Sequence, residues 1–229
     1  MENIAEMRNC EIGENSEVSP NVMLGYVYRG WRQVAIVGEL AKIHSGTVIY
    51  ADTKIGNRFT CGHNVTIRAE CEIGDRVVIL HGSTLEGKIV IGKGVKIMAN
   101  VYIPSRTTIG EMVFIGPGVT ILNAKLPMRE PLVAETKIGN NVIIGGGVTL
   151  GPGINIGDNV FIGAGSIVLK DIPPNSLAYG VPAKIKPLPE KYGKRNDPRQ
   201  IFTGLDLWDN TPDDGTWQEE EYFGKTPQN

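Results

Sequence analysis

From Val37 to Ile121 an aliphatic residue, or once a cysteine, returns at every sixth position without a slip: Val37, Ile43, Ile49, Ile55, Cys61, Ile67, Ile73, Ile79, Leu85, Ile91, Ile97, Ile103, Ile109, Ile115 and Ile121. Ile138, Ile144, Leu150, Ile156, Ile162 and Val168 form a second run, and Ile12, Val18 and Leu24 a short first one. Four places after an anchor there is usually a small or branched residue, as at Ala41, Thr47, Val65, Cys71, Ser83 and Val101. Glycine often follows the anchor directly, as at Gly56, Gly74, Gly92, Gly110 and Gly116. Such a period fits neither an amphipathic helix nor a simply alternating strand. It fits a short strand and a corner, repeated. Three units close one triangular turn of chain, and successive turns pair at about 4.8 Å, the spacing of hydrogen-bonded strands. Stacked turns bury a column of Ile and Val that no single turn could bury alone. The expected fold class is therefore all-β, a parallel β-helix of hexapeptide repeats. The 29 glycines fit frequent corners, where positive φ or close packing is needed; they lack the three-residue spacing of collagen.

The repeat breaks at 25–35 (GYVYRGWRQVA) and at 125–137 (KLPMREPLVAETK), and it ends after Ile185. Loops that leave a rigid scaffold commonly carry binding or catalysis. The reading is one β-helix domain, 1–185, followed by a largely irregular extension, 186–229, that caps it with partial order. A net charge of −2 gives no basic field for nucleic acid. The N-terminal stretch has no apolar run of a secretory signal, and no segment reaches the apolar length of a membrane span. The expected compartment is the cytoplasm. Cys10, Cys61 and Cys71 are odd in number and form no CxxC pair, so reduced thiols are expected rather than a disulfide framework or a cysteine zinc site.

The anchor-Gly-x-x-small-x pattern resembles the hexapeptide-repeat acyltransferases over roughly residues 10–186. The closing segment IGDNVFIGAGSIVLKDIPPNSLAYGVPAKI (156–185) is similar to that family's C-terminal signature, through Gly163-Ala164-Gly165, Lys170-Asp171 and Gly180-Val181-Pro182-Ala183-Lys184. The resemblance implies a left-handed coil, acetyl-CoA or another acyl-CoA as co-substrate, no metal, and a homotrimer with the cofactor in the groove between adjacent prisms. The segment VFIGPGVTILNAKLPMREP (113–131) resembles N-acetyltransferases of nucleotide-linked amino sugars. In one such group, which acetylates a 3-amino sugar acid, the residue at the place of Asn123 belongs to the active site.

Asn123 stands two places after Ile121, just before the second interruption. A carboxamide orients an amine or holds an oxygen but exchanges no proton at neutral pH, which favours an amine acceptor. His63 and His81 stand two places after their anchors and are one coil apart. A histidine near its solution pKa takes a proton at neutral pH, and the resemblance implies a general base at this slot. His81, nearer the expected thioester, is the catalytic candidate beside Asn123, and His63 a substrate contact. The resemblance implies that the small residues Gly146 and Ala164 let the pantetheine arm approach the backbone. Lys170 and Lys184 would meet CoA phosphates as point charges. Each of these residues has a plainer reading as a solvated or locally satisfied corner residue. The function expected is acyl-CoA-dependent N-acetylation of an amino sugar, nucleotide-linked, for surface polysaccharide or glycan synthesis. The alternatives are sugar O-acetylation with a histidine base, a zinc hydratase of the γ-carbonic-anhydrase type using His44, His63 and His81, and an inert scaffold. His44 is one slot out of column for the zinc reading.

Overall fold

The computed structural model describes residues 6–7, 9–28, 33–129, 134–194 and 196. The chain passes through three sheets in strict rotation. Sheet 1 runs from Glu6–Met7 to Ile167–Val168, sheet 2 from Cys10–Ile12 to Asn155–Ile156, and sheet 3 from Glu17–Val18 through Ser176–Tyr179 to an antiparallel last strand, Lys184–Pro187. Register fixes the step at 18 residues: Ile67 lies beside Leu85 in sheet 1, Ile73 beside Ile91 in sheet 2, and Ile79 beside Ile97 in sheet 3. The architecture is a left-handed parallel β-helix, a three-sided prism with a 1–2, a 2–3 and a 3–1 edge.

Every anchor from Val37 to Ile121 points inward and is at most 5% exposed. The positions four places on fill the same core, and they accept Phe59 and Ile89 as well as the smaller residues. Some polar residues enter this core with partners, while the buried Thr136 hydroxyl has none among the described residues. Thr47 Oγ1 donates to Gly62 O at 3.1 Å and accepts from Val65 N at 3.3 Å. Ser83 Oγ does the same with Met98 O at 3.0 Å and Val101 N at 3.1 Å. Each hydroxyl links one coil to the next, so a buried oxygen is compensated.

The glycines answer two demands. Gly116 has no positive φ, yet a Cβ there would lie 2.5 Å from Gly146 N and 2.7 Å from the Gly145 carbonyl carbon. Two residues on, Gly118 faces open space but has φ +67°. The equivalent positions in the other coils are Asn21, Gly46, Asn64, Gly82, Asn100, Gly147 and Gly165, all with positive φ. Asparagine shares this slot because its short polar side chain tolerates the left-handed region.

The step between paired residues grows to 25 between Leu24 and Ile49 and to 29 between Ile121 and Leu150. Seven and eleven residues are thus inserted. Both insertions leave a strand of sheet 1 (Met23–Tyr26 and Thr120–Ile121) and return to a strand of sheet 2 (Ala35–Val37 and Thr136–Ile138). Both therefore open on the 1–2 edge. Residues 29–32 and 130–133 within them lie outside the described residues.

Beyond Ile185 the hexapeptide pattern stops, but the same compact unit continues to Asn196. Lys184–Pro187 pairs antiparallel with Ser176–Tyr179, and a 3-10 turn follows at Glu190–Tyr192. The Tyr192 ring stacks on Phe161 at 5.0 Å, and Asn196 bonds Asn141 Oδ1 and Met112 O. The rest of the extension, 197–229, lies outside the described residues. Among the described residues no helix is long and apolar enough to cross a membrane.

Candidate functional site

Register sorts the candidate residues onto different edges. On the 3–1 edge, the residues two places after the sheet 3 anchors stack as Ser45, His63, His81, Ala99, Pro117, Gly146 and Ala164. On the 1–2 edge, the residues two places after the sheet 1 anchors stack as Ala51, Ala69, Gly87, Ser105, Asn123, Pro152 and Lys170. His63, His81, Gly146 and Ala164 thus share one edge, while Asn123 and Lys170 share another. Lys184 is exposed on the last strand of sheet 3. Within one chain the prism body separates Asn123 from His81.

Asn123 is half-buried where the chain leaves the prism. Its backbone carbonyl accepts from Ala134 N at 2.9 Å and so closes the neck of the second insertion. Its carboxamide has no hydrogen-bond partner among the described residues. The backbone therefore serves the local fold and the side chain is left for another partner. Beside it the insertion exposes apolar side chains, Leu122 at 42%, Leu126 at 48% and Met128 at 104%.

His81 and His63 are exposed on the 3–1 edge. His63 Nδ1 and Ser45 Oγ are hydrogen-bonded at 2.8 Å, which fixes the His63 ring. The His44 ring lies 5.0 Å from it. Burial, and then the neighbouring His63, hold the His44 pKa below that of a free histidine. Despite this proximity, His44, His63 and His81 form no group able to hold a metal among the described residues. The zinc-hydratase reading gains no support from them.

Toward the C-terminus the 3–1 edge changes character. Histidine and asparagine give way to Gly146, Gly147, Ala164 and Gly165, and a Cβ on Gly147 or Gly165 would meet nothing within 4 Å. The result is a strip of backbone with open space above it.

Three features were not read from the sequence. Both insertions open on one edge. A cavity on that edge is walled by Tyr28, Tyr50 and Arg68. Lys96, in an outward-facing slot of the repeat, is 1% exposed and donates to Arg76 O at 3.2 Å. Burial, and then the Arg76 charge, hold its ammonium pKa well below the usual lysine range. The pairing of Arg68 with Glu86 one coil on follows from the 18-residue step, but the insertion conformations and the burial of Lys96 carry no periodic signal.

Comparison with known proteins places these edges in context. The bacterial transferase hexapeptide family (six repeats) matches residues 88–123 and 135–170, on either side of the second insertion. Galactoside O-acetyltransferase of Escherichia coli K12 is 48% identical over 80 residues, 32% of this chain and 39% of that protein. Galactoside O-acetyltransferase of Lactococcus lactis is 39% identical over 81 residues, with the same coverage of 32% and 39%. The chain therefore spans about two fifths of the length of these relatives. A crystal structure of a UDP-N-acetylglucosamine acyltransferase from Bacteroides fragilis superposes with a TM-score of 0.65, over 80% of this chain and 71% of that one, at 23% identity. That similarity establishes the fold. In repeat and in architecture, the chain is a hexapeptide-repeat protein of the left-handed parallel β-helix fold.

Proposed function

We propose that the chain is an acyl-CoA-dependent acyltransferase that acetylates the amine of an amino sugar, with a nucleotide-linked sugar as the expected acceptor. The observation that carries the reading is the Asn123 carboxamide at the neck of the second insertion, which has no hydrogen-bond partner among the described residues. A carboxamide holds an amine in line with a thioester without exchanging its proton. The bacterial transferase hexapeptide family matches residues 88–123, ending at Asn123, and residues 135–170 in the coils after the insertion.

In the proposed reaction the neutral amine nitrogen attacks the thioester carbonyl carbon. The C–N bond forms, the tetrahedral oxyanion collapses, the C–S bond breaks, and the CoA thiolate takes up the proton released by nitrogen. A backbone N–H at a prism edge would donate to the oxyanion. The small-residue strip at Gly146 and Ala164 would hold the pantetheine arm, and Lys170 and Lys184 its phosphates. Asn123 and that strip lie on different edges of one prism. One site built from both therefore needs the 1–2 edge of one subunit against the 3–1 edge of the next, a head-to-tail contact that closes as a cyclic trimer. His81 would face the same groove from the second subunit.

The second reading is O-acetylation of a sugar hydroxyl with His81 as base, favoured by the galactoside O-acetyltransferases among the relatives. One experiment separates the two. Free-thiol release from acetyl-CoA is measured for Asn123→Ala and His81→Ala with an amino sugar and with a plain glycoside. The first reading expects Asn123→Ala to lower kcat/KM on the amine by about ten- to a thousand-fold, and His81→Ala to cost less. Full activity in Asn123→Ala beside an inactive His81→Ala moves the assignment to O-acetylation.

A further inference from the structure

The first insertion leaves the same 1–2 edge as the second, five coils earlier, and it brings Tyr28 over a cavity of about 190 Å³. Tyr50 forms the adjoining wall. The Tyr28 and Tyr50 rings are 6.3 Å apart at 74°, an L-shaped corner rather than a parallel slot. The Arg68 guanidinium lies 6.0 Å from the Tyr28 ring centre and 5.9 Å from that of Tyr50. It is held by Glu86 at 2.5 Å, one coil on. Lys88 and Glu70, which also line the cavity, pair at 3.6 Å. Ser105 lines the end nearest Asn123, and the two are one coil apart in the same edge column. The residues lining the cavity thus run from Ser105, about 5 Å along the prism axis from Asn123, to Tyr50, about four coil spacings from it.

Its chemistry selects a ligand class. Two cations are matched by two carboxylates, so no net positive field awaits a phosphate. The crossed tyrosines leave no gap in which a flat base could be sandwiched. A saturated ring can lay C–H groups on one tyrosine face while its hydroxyls bridge the fixed Arg68–Glu86 pair, guanidinium donating and carboxylate accepting.

From this geometry we infer that the cavity is a subsite for a neutral hydroxylated ring of the acceptor, one unit removed from the reacting group held at Asn123. The inference rests on the acyltransferase reading for the identity of the reacting group, and on the cavity alone for the ring. Two sources supply that chemistry, the ribose of a nucleotide-linked sugar and a second pyranose of a glycan.

The test uses the full chain and three amine probes: glucosamine with one ring, UDP-glucosamine with a ribose, and β-1,4-linked diglucosamine with a second pyranose. Saturation-transfer NMR without acyl-CoA reads ring contact, and thiol release from acetyl-CoA reads KM and kcat. Tyr28→Ala and Arg68→Gln should weaken binding of one extended probe, and raise its KM, by about three- to tenfold, as expected for a lost ring contact. Glucosamine should stay within about twofold. The extended probe that responds names the source. Equal losses for glucosamine and both extended probes, or no loss for either extended probe, overturn the subsite. If no probe releases thiol, the acyltransferase reading fails, and the NMR arm still decides the subsite by the same criterion. Tyr28 lies beyond the strand ladder, so its replacement should leave the far-ultraviolet circular dichroism of the prism unchanged.

Discussion

Replacing Gly116 and Gly118 separately by alanine sets two glycines of one corner against each other, because they are required for opposite reasons. At Gly116 a new Cβ would meet Gly146 N at 2.5 Å and Gly145 C at 2.7 Å, both backbone atoms of the next coil. An ordinary contact needs the coils to part by nearly an ångström. They are tied at this point by Gly116 N to Ile144 O at 2.7 Å and Gly147 N to Pro117 O at 2.8 Å. Overpacking costs about 1–3 kcal/mol, and a stretched backbone hydrogen bond adds about 1 kcal/mol. Gly116→Ala should therefore lose about 2–4 kcal/mol, or roughly 4–16 °C in Tm for a domain of this size. At Gly118 the Cβ meets nothing, and only the φ of +67° resists it. That penalty is about 1–2 kcal/mol, partly offset by the reduced freedom of the unfolded chain, so Gly118→Ala should lose about 1 kcal/mol. Gly118→Asn should recover most of it, since Asn64 and Asn100 already occupy the slot. Thermal unfolding followed by circular dichroism, at one protein concentration, ranks the three variants. If Gly118→Ala is as damaging as Gly116→Ala, or if Gly118→Asn is no better than Gly118→Ala, the division between contact and conformation is wrong.

Three further outcomes follow from the site and its surroundings. Ala164→Trp, in the open small-residue strip, should raise the KM for acetyl-CoA with the fold intact, and an unchanged KM would remove that strip from the cofactor path. Burial pushes the Cys61 and Cys71 thiols up to about 12 and, with help from the Glu11 charge, Cys10 to about 11; a thiol reagent at pH 8 should therefore label the native protein slowly and the denatured protein at three sites, and fast labelling of Cys61 in the native state would contradict its burial. His44 should titrate below the free-histidine value in a proton–carbon correlation spectrum. Because its folded pKa lies below its unfolded one, it contributes a loss of stability as pH falls through about 6.5, and His44→Asn should flatten that part of the acid limb.

The scaffold was legible because a hexapeptide period imposes its own geometry: each anchor named from the sequence between Val37 and Ile121 is in the core. The relation between candidate residues was legible in principle as well. His81 and Asn123 are 42 residues apart, two coils of 18 and one third of another, so they cannot share an edge. Counting position along the axis without position around it hides that. Arg68 and Glu86, by contrast, are one full step apart and therefore meet. Tyr28 could not have been assigned to the cavity, because an insertion has no period and its course is set by what it packs against. Lys96 was equally hidden: the repeat leaves its slot facing outward, and only the structure buries it.

The constant step of the prism also makes chain length a matter of angle. An insertion confined to an edge, such as either one here, returns the chain to the sheet it would have entered anyway and leaves every downstream residue with its old bearing. Loss of a single hexapeptide inside the coils does the opposite. It turns everything after it by one third of a revolution, and the second insertion, with Asn123 at its neck, would emerge from a different side of the molecule. Loss of three hexapeptides shortens the prism by one storey and restores the bearing. Divergence in such a chain is thus free in its edge loops and quantised in its walls, so relatives of different height can keep a common arrangement of groups around the axis.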